Sequence, residues 1–212
     1  MGGVKLAQMG NCLTIVPYYQ HPIPTRFTTY RGAGMIFDNG RTVLCGYESS
    51  KSYRFGSYGQ SSSAGQSEPL KKHPALYGIG GKRETTDANY RETAAREMLE
   101  ELFGLQTIPR NTLQRVLVIV PQEETMVDGY VMLRYRFSDL VQMMLTLRDQ
   151  KSPLYRTMPT TVSDLVLGRR LLNRPVETSH LCLLPMISPA PNVSEDLADD
   201  IRRLLSERTH DG

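Results

Sequence analysis

The feature that most restricts the fold is Asp38-Asn39-Gly40-Arg41, set between the apolar runs Gly34-Met35-Ile36-Phe37 and Thr42-Val43-Leu44-Cys45. Asn and Gly both tolerate positive φ, so Asn-Gly between β-prone segments predicts a tight turn joining two antiparallel strands. Further on, Ala94, Met98 and Leu102 recur at four-residue spacing, with Ala95 and Leu99 beside them, which predicts a helix over about 87–103. Asp87 and Asn89 are the candidate caps, and Gly104 sits where a helix commonly stops.

The remaining elements follow the same logic. Ala75 to Lys82 reads as a short strand running into a Gly80-Gly81 turn, and Val116 to Val120 as a buried strand. Asp128-Gly129 provides a turn before Tyr130 to Phe137, which alternates in strand fashion. Leu140 to Arg148 and Val162 to Leu172 read as short helices, and Leu181 to Ile187 as a last strand. Ser194 caps a closing helix whose Leu197, Ile201, Leu204 and Leu205 form an apolar stripe. Strands interleaved with helices after an antiparallel opening predict an α/β fold, a mixed sheet covered on both faces. Residues 1–26, with Pro17, Pro22 and Pro24, read as an irregular arm, and 27–212 as a single domain. Within it, 49–74 is rich in Ser, Gly, Lys and Tyr and reads as an inserted loop, with Tyr53, Arg54, Tyr58, Lys71 and Lys72 as candidate substrate contacts.

The apolar content of 40% supports a real core and excludes wholesale disorder. A net charge of +3 leans only slightly towards an anionic partner. Cys12, Cys45 and Cys182 show no CxxC spacing, which suggests neither a zinc site nor a disulfide framework and fits a reducing compartment. With no bilayer-length apolar run and no leader-like start, the expected location is intracellular, cytoplasmic or nuclear. Met9-Gly10-Asn11-Cys12-Leu13-Thr14 matches a lipidation pattern if translation begins at Met9.

Chemistry concentrates in Gly80-Gly81-Lys82 and, fourteen positions after that lysine, Arg96-Glu97-Met98-Leu99-Glu100-Glu101. On a helix, Glu97 and Glu101 lie one turn apart with Glu100 next to both. Arg96 can pair with Glu100, but no Lys or Arg follows one turn on to relieve Glu101. A hard divalent cation is the natural countercharge, since Mg²⁺ takes carboxylate oxygens, waters and substrate phosphates. The adjacent glycines allow the backbone close to an anion or metal, and Lys82 can meet a phosphate. Arg134 and Arg136, on one face of their strand, are further candidates for phosphate.

Gly81, Arg96-Glu97, Glu100-Glu101 and Gly104-Leu105 resemble the Nudix box, Gly-x5-Glu-x7-Arg-Glu-U-x-Glu-Glu-x-Gly-U with U aliphatic. Asp87 stands at the first glutamate position, and one extra residue separates it from Arg96. Phe103 adds another before Gly104. The resemblance implies a Nudix-like α/β/α sandwich and hydrolysis of a nucleoside diphosphate linked to another group. It also implies Mg²⁺ or Mn²⁺ held by Glu97, Glu100, Glu101 and a backbone carbonyl of Gly80-Gly81, with Arg96 orienting a glutamate. The general base is then Glu97, Glu177 in a later loop, or Glu123 and Glu124 in an expected turn. Substrate contacts fall to Gly81, Lys82 and Arg134. The substrates in view are capped RNA, ADP-ribose and nucleotide sugars; a catalytically inactive nucleotide-binding module is the rival expectation, and a homodimer accords with the family's habit.

Overall fold

A computed structural model describes residues 25–47, 76–107, 109–170, 178–187 and 193–208, together with the backbone of 8–9 and 12–13. The inserted loop at 49–74, Glu177 and half of the Met9 lipidation pattern lie outside the described residues. Strands β1 (Gln8–Met9) and β2 (Cys12–Leu13) form a minimal antiparallel ladder inside the stretch read as an irregular arm. Such two-residue strands carry no period for sequence reading to find.

The hairpin forms where Asn39-Gly40 predicts it. Asn39 Oδ1 accepts from the amides of Arg41 and Thr42, and Gly40 supplies φ 86°. Strands β3 (Gly32–Asp38) and β4 (Thr42–Tyr47) then part: their register holds only Asp38 opposite Val43. The next segment bridges the gap between them. Its first half, β5 (Leu76–Tyr77), pairs with β4, and after Gly78 its second half, β6 (Ile79–Lys82), pairs antiparallel with β3. Helices α1 (Tyr90–Phe103) and α2 (Arg110–Leu117) follow, then β7 (Glu123–Val127) and β8 (Tyr130–Arg136). Along its whole length β8 runs parallel to β3, from Gly32 opposite Tyr130 to Asp38 opposite Arg136. After α3 (Phe137–Thr146) and α4 (Val162–Leu167), β9 (His180–Pro185) completes the sheet against β4, and α5 (Glu195–Arg208) closes the described chain.

Among the described residues the result is a mixed sheet of seven strands with an apolar cluster on each face. Period-two alternation sorts the residues. Ala33, Met35, Phe37, Val131, Leu133 and Tyr135 join the cluster that contains α1 and α3. Ile36, Val43, Cys45 and Leu184 join Leu197, Ile201 and Leu204 of α5 on the other. Each large apolar side chain so buried contributes roughly 1.5–3 kcal/mol. The predicted stripe of α5 is thus the cover of the second face. Ser194 caps that helix, its Oγ accepting from Leu197 N at 3.3 Å. Cys45 and Cys182 stand directly opposite each other across β4 and β9 as free thiols. Among the described residues, no helix is long and apolar enough to cross a membrane.

Three local readings need correction. Val116 to Val120 is no buried strand, because Arg110–Leu117 is helical and Val120 is 64% exposed. Thr112, Val116 and Leu117 form the buried side of that helix; a short apolar run has no period of its own to reveal it. Glu123 and Glu124 lie in β7 and not in a turn. The turn is at Asp128 (φ 48°) and Gly129 (φ 77°), and it pairs an edge strand polar enough to face water. Gly80 and Gly81 also sit within a strand, opposite Gly34 and Ala33, while the chain turns later, where Asp87 N donates to Glu84 O.

Candidate functional site

Helix α1 is set by its caps. Asn89 Oδ1 accepts from Arg91 N and Glu92 N, one of the two expected N-terminal solutions. At the other end Gly104 takes a left-handed φ of 66°, and its amide donates to Glu100 O while Leu105 N donates to Leu99 O. Phe103, the extra residue, is fully buried, 6.3 Å from the Tyr155 ring, so the helix is longer by one residue that contributes to the core. The buried residues Ala94, Ala95, Met98, Leu99 and Leu102 fasten α1 to the sheet. That leaves Arg96, Glu97, Glu100 and Glu101 beside β6 and the loop after it.

Arg96 organises this face. Its guanidinium grips Asp87 with two nitrogens, at 3.1 Å and 3.0 Å, and donates to the Lys82 carbonyl at 2.9 Å. The same side chain donates to Glu97 Oε1 at 2.9 Å and reaches Glu100 Oε2 at 3.5 Å. The sequence predicted the Glu100 pairing; the closer partner is Glu97. Burial opposes ionisation of Asp87, yet Arg96, the Glu84 amide and Thr93 together hold its carboxyl below the ordinary range. Glu100 moves the other way. Burial and the charges of Glu97, Glu84 and Asp87 raise its proton affinity against the pull of Arg96.

The glycines give the carboxylates their place. Glu101, only 7% exposed, accepts from Gly80 N at 3.3 Å. A Cβ on Gly81 would collide with the Glu97 carboxylate. On the opposite face, a Cβ on Gly32, Gly34 or Gly80 would collide with Tyr130, whose side chain therefore lies across a strip without side chains. Burial, then the charges of Glu101 and Glu97, push the Tyr130 phenol up, with Asp200 and Asp196 of α5 adding to the effect. Beside Tyr130 opens a cavity of about 590 Å³, lined by Arg31 and Lys82, by the Gly80-Gly81 backbone, and by Tyr77, Met132, Asp196 and Asp200.

The structure therefore brings Gly80, Gly81, Lys82, Arg96, Glu97, Glu100 and Glu101 together around the start of β6 and the middle of α1. It places Arg134 elsewhere. That side chain holds the fully buried Asp38 at 2.9 Å and does not line the cavity. Arg136 reaches the same aspartate at 3.5 Å. Glu124 is engaged by Tyr90 Oη and Arg91, both at 2.7 Å, and Glu123 lies within 3.8 Å of Arg134. Sequence reasoning missed Tyr130, Arg31, Asp196 and Asp200. No motif marks them, although Asp196 and Asp200 at four-residue spacing beside the α5 stripe are a legible helical pair.

The donor set suits a hard cation, since Glu97, Glu100, Glu101 and the strand carbonyls are all oxygen ligands. The Gly81 position, where Glu97 fills the space of a missing Cβ, is a cradle of the right kind. Yet among the described residues no group of three or more His, Cys, Asp or Glu side chains converges as a metal cage, and Arg96 already partners Glu97 and Glu100. No family model matches the sequence, and no curated protein matches it either.

Proposed function

We propose that this chain is a Nudix-type hydrolase that splits a diphosphate linkage in a nucleoside-diphosphate-type substrate with the help of Mg²⁺ or Mn²⁺. One observation carries the reading: Glu97 and Glu101, a helical turn apart, sit against the backbone of neighbouring Gly81 and Gly80. The departures from the box pattern do not undo its geometry. Asp87 reaches Arg96 through two hydrogen bonds despite the extra residue between them, and Phe103 is absorbed into the core.

Glu97, Glu100 and Glu101 are the residues that would hold the cation, joined by a carbonyl of Gly80 or Gly81. When bound, such an ion neutralises phosphate charge, acidifies a coordinated water and stabilises the leaving group. Arg96 is a positioning residue, fixing Glu97 Oε1 relative to the Lys82 carbonyl. Lys82, exposed at the cavity rim, meets the substrate phosphates. Glu97 is the leading candidate for taking the water's proton.

Within the class, a capped RNA is favoured by a second cavity of about 460 Å³. Among the described residues its lining gathers Arg148, Lys151, Arg156 and Arg170 against the single acid Asp149, a surface suited to a phosphate backbone. That cleft adjoins the end of α1, where Ser152 Oγ donates to Phe103 O at 2.6 Å. ADP-ribose and nucleotide sugars are the alternatives within the class. A second reading, an inactive nucleotide-binding module, draws on the Arg96 contacts that occupy Glu97 and Glu100. A panel of capped RNA, ADP-ribose and nucleotide sugars, titrated with Mg²⁺ and Mn²⁺, separates them. Metal-dependent turnover abolished by Glu101→Gln in a folded protein supports the enzyme; nucleotide binding without turnover in any metal supports the module.

A further inference from the structure

The cavity beside Tyr130 has a chemistry that the hydrolytic reading leaves unused. Its cations, Arg31 and Lys82, come from the rim, where Gly32 and Lys82 face each other in register. Its acids, Asp196 and Asp200, come from α5 on the other side, and Tyr77, Tyr130, Met132 and Leu197 supply flat or apolar surface. At about 590 Å³ it matches the size of pockets that enclose a small ligand. Asp200 is 8% exposed, and its Oδ1 is held by Arg203 one helical turn on. No hydrogen bond occupies Asp200 Oδ2 or Tyr130 Oη among the described residues.

We propose that this cavity holds the nucleobase of the substrate and that Asp200 selects a guanine-type edge. The inference rests on the diphosphate-hydrolase reading and assigns its substrate class. An ionised carboxylate only accepts hydrogen bonds. Guanine offers it two adjacent donors, N1–H and the N2 amine. Adenine offers one donor beside the N1 acceptor, so its lone pair would face the carboxylate oxygens. A site built to bond a donor rejects an analogue lacking it, because the buried polar group is left unpaired. The polarity of the cavity also fixes orientation: phosphates are repelled by Asp196 and Asp200 and drawn to Arg31 and Lys82. That leaves the diphosphate next to Gly80 and Gly81, on which Glu101 and Glu97 rest.

The test uses the full chain carrying Glu101→Gln, so that binding is read without turnover. Calorimetry in magnesium buffer compares guanosine, inosine and adenosine diphosphates. The guanosine form is expected to bind at least about tenfold more tightly than the adenosine form, with inosine between them because it lacks the N2 amine. Adding Asp200→Asn, with folding checked by thermal melting, should reduce the preference to within about twofold. Equal affinities for guanosine and adenosine diphosphates, or a preference that survives Asp200→Asn, overturns the pocket. Base-blind hydrolysis by the wild type would sink the pocket and keep the reaction. A guanine preference lost with Asp200→Asn in a wild type that hydrolyses nothing would keep the pocket and sink the reaction.

Discussion

The two faces of the sheet handle buried carboxylates in opposite ways. Beside α1, Asp87 and Glu97 share one guanidinium and Glu101 accepts a strand amide, so charge is matched at short range. Beside α5, Asp200 has Arg203 as its one cationic partner among the described residues, faces Asp196 and Glu123, and burial pushes its carboxyl up to about 6. The contrast teaches that burial by itself does not define a carboxylate's state; the number of donors aimed at it does. The α1 face holds Asp87 charged, and the α5 face leaves Asp200 poised to change protonation or to accept a ligand's donors.

Breaking the α1 side should have the larger consequences. Glu101→Gln is expected to lower kcat for a diphosphate substrate by about 10²–10³-fold, the range for losing one group that supports electrostatic stabilisation of the transition state. Steady-state kinetics beside an unchanged thermal melt is the check. Arg96→Ala should cost about 3–5 kcal/mol in denaturant unfolding, because it strands Asp87, which is almost fully buried, without its charge partner. Since Arg96 holds the folded-state pKa of Asp87 down, that stabilisation is present above the ordinary aspartate range and fades as acid protonates Asp87. The difference between wild type and variant should therefore narrow below about pH 4. Gly81→Ala should cost roughly 1–3 kcal/mol, since its methyl group displaces the Glu97 carboxylate.

The smallest effect sharpens the other side. Asp200 binds its proton more tightly when folded, so ionising it above about pH 6 costs stability. Asp200→Asn should therefore raise the melting temperature by a few degrees at pH 7.5, equivalent to about 1 kcal/mol. The gain should shrink as pH falls through 6, where Asp200 becomes neutral anyway. Its charged neighbours are Arg203, Asp196 and Glu123, with the neutral Tyr130 phenol beside them, and Arg203→Ala should push the transition to higher pH. A stabilising substitution that weakens nucleotide selection would mark Asp200 as a residue kept at a cost to stability.

The sequence disclosed what depends on local chemistry. Asn39-Gly40, the α1 period with Gly104, the alternation of β8 and the α5 stripe all formed where their residues require. What stayed hidden depends on partners distant in the chain. Val116 and Leu117 lack a strand neighbour and become the inner side of a helix. Arg134 looked like a phosphate contact because Asp38, which holds it, lies 96 residues earlier. Gly80-Gly81 suggested a bend, whereas its lack of side chains serves Glu97 on one face and Tyr130 on the other. The candidate carboxylates were legible as a helical group, and so was the Arg96–Glu100 pair; the grip of Arg96 on Asp87 and the whole α5 wall were not.

The parallel pairing of β3 with β8 has a consequence for how the molecule comes into being. The two strands meet across a sequence separation of 98 residues, from Asp38 to Arg136, and β4 waits still longer for β9. Loops of that length close slowly. Emerging from a ribosome, α1 would meet β3 and β6, which precede it and form most of its floor, while β8 arrives a few seconds later. The other edge of β3 would stay unpaired until then, and chaperone demand should rise with any mutation that slows the arrival of β8.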